Sequence, residues 1–288
     1  MTGRRQLLVA ALCLLPPWLH AAPPRLRALS VALRELEQNN GGRFGVVVLD
    51  TATGERSGYR IDERFPMCST FKFLLATAVL QRVDHRQEHL QQLIPIPPPP
   101  LLYNSPLLEP HAGGHMTVAD LCQAALVRSD NTAANLLLKT IGGPAGMTRF
   151  ARSIGDQVTR LDRWETALNE SLADDPRDTT TPDAMATNLQ SILLGSVLTA
   201  DSRMLMTRWM EANETGLDRL RANLPQGWRA VDKTGANGEH TSNDIAVFWP
   251  TDSAPIVIAA YITQCQGPES KRAALLATIG ALVCGSVT

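Results

Sequence analysis

Ser69 and Lys72 stand three residues apart in Met67-Cys68-Ser69-Thr70-Phe71-Lys72, and the apolar run from Phe71 to Leu80 that follows reads as a helix. Residues three apart share a helix face, so this spacing brings the amine within reach of the hydroxyl. A serine alcohol is a weak nucleophile near pH 7 until a neighbouring base takes its proton. A helix N-terminus adds free backbone N–H groups and a positive field, which suit an oxyanion. Alone, Ser-x-x-Lys is a weak signal, because serine caps helices and lysine is common on their exposed faces.

Three further stretches strengthen it. Ser129-Asp130-Asn131 lies between two helical runs, Trp164-Glu165-Thr166-Ala167-Leu168-Asn169 lies in a long charged loop, and Lys233-Thr234-Gly235 ends a strand. With Ser69 and Lys72 they supply the parts of an acyl-transfer site. There is a nucleophile, two amines, a second hydroxyl to relay a proton, a carboxylate to activate water, and amides to orient a substrate.

With these motifs the sequence resembles the class A serine β-lactamases. The three short motifs occur in the family's order and at its approximate spacing, and Glu165 with Asn169 falls in the family's Ω-loop. The likeness covers essentially the whole chain after its first residues, including Arg163 and Asp178, which match the pair that clamps that loop. The resemblance implies that Ser69 attacks the lactam carbonyl, with the backbone N–H groups of Ser69 and Ala236 as oxyanion hole. It gives the serine proton to Lys72, or to Glu165 through a water, and leaves both open. Ser129 passes a proton to the lactam nitrogen. Lys233, Thr234 and Gly235 form the strand segment that receives the substrate, with Lys233 on its carboxylate and tuning Ser129. Asn131 holds its side-chain amide, and Glu165 and Asn169 hold the deacylating water. Tyr103 matches the aromatic at the cleft mouth, with one residue more than usual in the loop after it.

Two positions depart from the pattern. Many relatives carry an arginine on the strand after Lys-Thr-Gly, where this chain has Ser242. Others supply the guanidinium from the segment that here reads Thr215 to Arg221, which points to Arg219; Arg272 is the second candidate. In carbapenem-hydrolysing relatives a cysteine after Lys-Thr-Gly pairs with the one that precedes the nucleophile. Here the position after Lys-Thr-Gly is Asn237, so the resemblance implies that this bridge is absent.

The elements that must position these residues are legible as a pattern. Leu26, Leu29, Leu33 and Leu36 recur at helical spacing, and Asn39-Asn40-Gly41-Gly42 ends that helix. Arg43–Asp50 reads as a strand, followed by a turn and a second strand through Tyr59 and Ile61. From Ser69 to about Glu211 helices and loops prevail: helices are predicted over Met116–Val127, Asn131–Ile141, Met147–Ile154 and from Pro182. Pro95–Pro100 reads as an extended surface loop, and Arg160–Thr181 as a functional one. Strands return over Arg229–Gly235, Asp244–Trp249 and Pro255–Thr263, the last apolar enough to be central, and a helix closes the chain. Strands at both ends and helices between predict an α+β fold. An antiparallel sheet built from both chain ends is flanked by the terminal helices, with a mostly helical second lobe. This is the β-lactamase/penicillin-binding transpeptidase arrangement. The lobes are expected at 22–66 with 214–288, and at 67–213 with the Ω-loop at about 160–178.

The chain has 288 residues and a formal net charge of -1, which gives no electrostatic case for nucleic acid or an anionic membrane. Arg4 and Arg5, the apolar run Leu7–Leu15 and the small pair Ala21-Ala22 read as an export signal over residues 1–21. The run is too short to span a bilayer. The expected location is periplasmic or secreted, with no membrane attachment after cleavage. Export permits disulfides, but the spacing of Cys68, Cys122, Cys265 and Cys284 shows no framework, and free thiols are expected. No metal motif or phosphate loop is present, so no cofactor is expected, and a monomer is the default. The leading reading is an exported β-lactam hydrolase acting on a small-molecule β-lactam. A penicillin-binding sensor or trap and a DD-peptidase are the alternatives, and Glu165 separates them, because neither needs a carboxylate poised to deacylate.

Overall fold

The computed structural model describes residues 24–287, with side chains from 28 to 286; the segment read as a signal lies outside the described residues. Helix α1 (Pro24–Asn40) leads into strands β1 (Arg43–Asp50), β2 (Arg56–Tyr59) and β3 (Phe65–Pro66). Next come α2 (Phe71–Asp84), β4 (Leu93–Pro95), β5 (His115–Thr117), α3 (Val118–Val127), α4 (Asn131–Thr140) and α5 (Gly143–Ser153). β6 (Thr179–Thr180), α6 (Pro182–Leu189) and α7 (Ala200–Glu211) precede β7 (Arg229–Ala236), β8 (Ser242–Trp249), β9 (Ile256–Thr263) and α8 (Glu269–Val287).

The main sheet is antiparallel, in the order β2-β1-β9-β8-β7. β1, near the N-terminus, pairs along its whole length with β9, near the C-terminus, from Arg43 opposite Thr263 to Asp50 opposite Ile256. Both chain ends therefore build the sheet, as the sequence pattern predicts. β9 is the middle strand and all of its residues are buried, the mark of a strand covered on both faces.

Successive strand residues point to opposite faces, and two cores result. Phe44, Val46, Val48, Ile258, Ala260 and Ile262 pack on one face with Leu29 and Leu33 of α1 and Leu276, Ile279 and Val283 of α8. Val47, Leu49, Val257, Ala259 and Tyr261 pack on the other with α2, α6 and the remaining helices. The terminal helices thus cover the sheet from outside, and the helical region grows from its inner face. The helix α1 ends where Asn40 Nδ2 caps the Leu36 carbonyl (2.9 Å) and Gly41 and Gly42 take positive φ of 70° and 92°.

α2 is buried all round from Phe71 to Leu80, so its one early cation, Lys72, has no solvated face to occupy. Side chains cap several of the helices. Thr117 Oγ1 accepts from Asp120 N at the start of α3, Asp130 from Ala133 N at α4, and Thr181 from Ala184 N at α6, where Pro182 is the first helical residue.

Several boundaries differ from the sequence expectation. The second strand stops at Tyr59, because Arg60 turns to φ 51° and leaves Ile61 outside the pairing. Met116 belongs to β5, which pairs with Leu93–Pro95 and so takes one end of the proline run into a short two-stranded edge. α5 begins at Gly143, four residues before the expected Met147, since Pro144 suits the first turn of a helix. The small sheet β3–β6 and helix α7 carry no signal that the sequence reading used. The four cysteines of the described residues are all buried, and no disulfide joins them. Burial pushes the Cys68 thiol up to about 12. Among the described residues no helix is long and apolar enough to cross a membrane.

Candidate active site

Ser69 sits in a single 3₁₀ turn, Cys68–Thr70, that runs directly into α2. The turn is held in place by the sheet. Asn243 Nδ2 on β8 donates to the carbonyls of Pro66 (2.8 Å) and Met67 (3.1 Å), and Met67 N donates to the Asp178 carbonyl (2.9 Å). Cys68 is forced to φ 45°, a conformation that costs about 1–3 kcal/mol and that clusters at functional sites. Gly235 on β7 lies flat against this turn. A Cβ there would come within 2.6 Å of the Met67 carbonyl and 3.0 Å of Ser69 N. Only glycine lets the strand that carries Lys233, Thr234 and Ala236 approach the Ser69 backbone so closely.

Lys72 is fully buried, and its amine faces more partners than the sequence suggests. Nζ lies 2.7 Å from the Ser129 carbonyl, 2.6 Å from Asn131 Oδ1 and 3.0 Å from Glu165 Oε1. The first two are hydrogen bonds that Nζ donates, and the third is an ion-pair contact, since Glu165 Oε1 accepts no hydrogen bond among the described residues. No hydrogen bond joins Lys72 to Ser69 among the described residues, so the expected direct pairing gives way to one in which Lys72 is paired with Glu165. Burial pushes the Lys72 amine below the ordinary lysine range, against the pull of the Glu165 carboxylate.

Ser129 takes φ 55°, and its hydroxyl lies between the two lysines, 3.1 Å from Lys233 Nζ and 3.4 Å from Lys72 Nζ. Lys233 is also buried, and Nζ donates to the Thr234 carbonyl (2.8 Å). Burial, reinforced by the nearby Lys72 charge, drives its amine well below the ordinary lysine range, while Asp232 opposes the shift. Thr234 Oγ1 lies 2.5 Å from Thr215 Oγ1.

Glu165 is fixed by its neighbours on both backbone and side chain. Asn135 Oδ1 accepts from Glu165 N (3.0 Å) and Asn135 Nδ2 donates to the Glu165 carbonyl (2.9 Å). Asn169 Nδ2 donates to Glu165 Oε2 (2.7 Å), while Asn169 Oδ1 is a buried acceptor with no protein partner. The loop that carries them is closed at its base. Asp178, fully buried, accepts from Asp162 N (2.7 Å), Arg163 N (2.9 Å) and Arg163 Nε (2.5 Å), and Arg163 also donates to Glu170. Breaking a buried pair by removing one partner costs about 3–5 kcal/mol. Asp178→Asn is therefore expected to lower Tm by at least about 6 °C, taking about 2 °C per kcal/mol for a chain of this size. A thermal melt followed by circular dichroism checks this, and an unchanged Tm would mean that the clamp does not hold the loop.

The remaining predicted residues lie around this centre. Asn131 is committed at both ends of its amide, to Lys72 through Oδ1 and to the Tyr103 carbonyl through Nδ2 (2.8 Å), which leaves one N–H without a protein acceptor. Tyr103 is 88% exposed. Arg219 Nη1 reaches the carbonyls of Gly235 (3.4 Å) and Asn243 (3.2 Å), level with the Lys-Thr-Gly segment. Arg272 is fully buried and turned to the carbonyls of Cys265, Gly267 and Gly238, beyond that segment. Of the two arginine candidates, the geometry brings Arg219 to Gly235. His240 is half-buried, with Nε2 3.3 Å from the Ser171 carbonyl of the Ω-loop. Among the described residues no group of three or more His, Cys, Asp or Glu side chains is placed to hold a metal ion.

The sequence reading missed Asn135, Thr215 and Asn243. Asn135 had a usable signal, because it follows Asn131 by one helical turn and so shares its face. The others act across long separations that no local pattern marks.

Comparison with known proteins agrees with this geometry. The sequence profile of the β-lactamase enzyme family matches residues 28–287. β-Lactamase L2 of Stenotrophomonas maltophilia is 49% identical over 263 residues, 90% of this chain and 87% of that protein. β-Lactamase Toho-1 of Escherichia coli is 42% identical over 281 residues, 97% of each chain. Among solved structures, an ancestral class A β-lactamase of Gram-negative bacteria aligns with a TM-score of 0.88 at 57% identity, covering 90% of this chain and 99% of that one. The putative class A β-lactamase PenP of Rhodopseudomonas palustris aligns with the same TM-score at 51% identity and the same coverage. Similarity of this degree over nearly the whole chain, on a fold and a site of matching kind, means that this chain belongs to the β-lactamase enzyme family, in its class A branch.

Proposed function

We propose that the protein hydrolyses the β-lactam ring of penicillins and cephalosporins through an acyl-enzyme on Ser69. The observation that carries this reading is the buried Lys72–Glu165 pair at 3.0 Å beside the nucleophile turn, with Lys233 and Ser129 across from it. A lysine and a carboxylate held in contact exchange a proton readily, and the neutral amine or the carboxylate through a water then takes the Ser69 proton. Ser69 Oγ adds to the lactam carbonyl, and the backbone N–H groups of Ser69 and Ala236 receive the oxyanion. The carbon–nitrogen bond breaks, and the nitrogen takes a proton from Ser129, which the adjacent lysines can resupply. Water, oriented by Asn169 and deprotonated by Glu165, then cleaves the ester and returns Ser69 to its hydroxyl form, releasing the ring-opened acid.

Substrate binding falls to Lys233, Thr234, Gly235 and Arg219 for the carboxylate, Asn131 for the side-chain amide, and Tyr103 as a wall at the mouth. We read the chain as two lobes, 22–66 with 214–288 and 67–213, with the cleft between them. Their apolar contacts form one continuous core through the inner face of the sheet, which suits a rigid site. An exported, monomeric enzyme, free of the membrane after signal cleavage and without nucleic-acid partners, completes the reading. Purified protein lacking residues 1–21 is expected to turn over a chromogenic cephalosporin catalytically. A single stoichiometric burst with no turnover would instead identify a trap, and no reaction would remove the β-lactam reading.

A further inference from the structure

We infer that Glu269 is a positioning residue that fixes Arg219 at the cleft and thereby sets affinity for the substrate's carboxylate. The inference rests on the β-lactam reading of the site. Glu269 stands in the first turn of α8, far in sequence from every catalytic motif, yet its carboxylate accepts from two arginines and a serine. Oε1 takes Arg219 Nη2 (2.8 Å) and Ser242 Oγ (2.5 Å); Oε2 takes Arg272 Nη2 (2.9 Å) and Nε (3.3 Å).

The three donors have different freedom. Arg272 is wholly buried and tied by three backbone carbonyls, so it is the fixed anchor that holds Oε2. Ser242 pairs with Ala236 across β7 and β8, so it registers Oε1 against the strand position beside the nucleophile turn. Arg219 is only 8% exposed, and its other hydrogen bonds are two long ones to carbonyls, at 3.4 and 3.2 Å. A guanidinium so far out of water needs a carboxylate to compensate its charge. Its other carboxylate contact is the exposed Asp218, at 4.0 Å from Nε, so without Glu269 the side chain is expected to follow Asp218 toward solvent. Glu269 thus acts through Arg219, and Ser242, which stands where many relatives carry an arginine, serves here to hold the carboxylate that holds Arg219.

The test compares benzylpenicillin with its methyl ester, which lacks the carboxylate charge, on wild type, Glu269→Gln, Arg219→Ala and the double variant. Arg219→Ala is expected to lower kcat/KM for benzylpenicillin by about tenfold, and Glu269→Gln by about three- to tenfold, mainly through KM. The double variant should be no worse than Arg219→Ala, and Glu269→Gln should lower kcat/KM for the acid by clearly more than for the ester. Ser242→Ala, which removes a donor to Glu269 without unpairing a charge, should raise KM in the same direction by a smaller factor. Equal losses on the acid and the ester would show a general structural defect and overturn the inference. So would an unchanged Glu269→Gln beside an impaired Arg219→Ala. An unchanged Arg219→Ala would take Arg219 out of carboxylate binding and the inference with it. Wild-type hydrolysis in the same assay would leave the β-lactam reading itself standing.

Discussion

Glu165→Gln is expected to react with benzylpenicillin and then stall as the acyl-enzyme. Hydrolysis of the Ser69 ester needs a base that takes a proton from water, and Glu165 is held for that task. Its backbone is gripped from both sides by Asn135, and Asn169 Nδ2 fixes Oε2 at 2.7 Å. A glutamine there keeps the shape and removes the base. Losing a general base typically removes about 10²–10⁴ in rate. Acylation has a different outlook. The Glu165 carboxylate is what holds the Lys72 pKa up against burial, so its neutralisation pushes the Lys72 pKa further down. More of Lys72 is then the neutral amine, which takes the Ser69 proton. The two halves of the reaction should therefore separate. An intact-mass time course, with turnover followed in parallel, reads this directly: adduct rises to one per chain and persists, while turnover falls by at least about a hundredfold. Wild-type turnover with no accumulation would remove Glu165 from deacylation.

Ser69→Ala is expected to abolish covalent labelling and turnover together. Loss of the nucleophile of a serine hydrolase removes about 10⁶ in kcat, and no other hydroxyl here is placed to substitute. Ser129 lies closest in role, but its oxygen sits between two amines, at 3.1 Å from Lys233 and 3.4 Å from Lys72. Donors on both sides stabilise the alkoxide but also occupy its lone pairs, and its carbonyl is engaged by Lys72 and by Asn104 Nδ2. The Cys68 thiol is buried, and its pKa is pushed far above working pH. Intact-mass analysis after prolonged exposure to penicillin should find the Ala variant unmodified. A stable adduct on it would place the nucleophile elsewhere.

Much of this was legible in the sequence because the chemistry is carried by short motifs and the sheet by alternating apolar runs. Ser129 lies 3.1 Å from Lys233, Glu165 lies 3.0 Å from Lys72, and β1, β8 and β9 fall within two residues of their predicted bounds. What escaped was the choice of partner. Helical spacing brings Lys72 near Ser69, but a buried ammonium seeks a carboxylate, and Glu165 arrives from a loop that no local pattern ties to α2. The same reason hides Asn243, whose amide holds the Met67 carbonyl 176 positions away, and Glu269, which reads as an ordinary acid in the first turn of a helix. The sequence runs the second strand through Ile61, and the left-handed turn at Arg60 ends the pairing before it. Choosing between Arg219 and Arg272 required knowing which one the sheet edge faces, a tertiary fact.

The most direct test locates the acyl group. Glu165→Gln, mixed with benzylpenicillin, quenched in acid and digested with trypsin, is predicted to carry one adduct on the peptide Phe65–Lys72, and fragmentation is predicted to place it on Ser69 rather than on Cys68 or Thr70. An adduct on any other residue, or none at all while the ring is opened, would contradict an acyl-enzyme on Ser69 that Glu165 resolves.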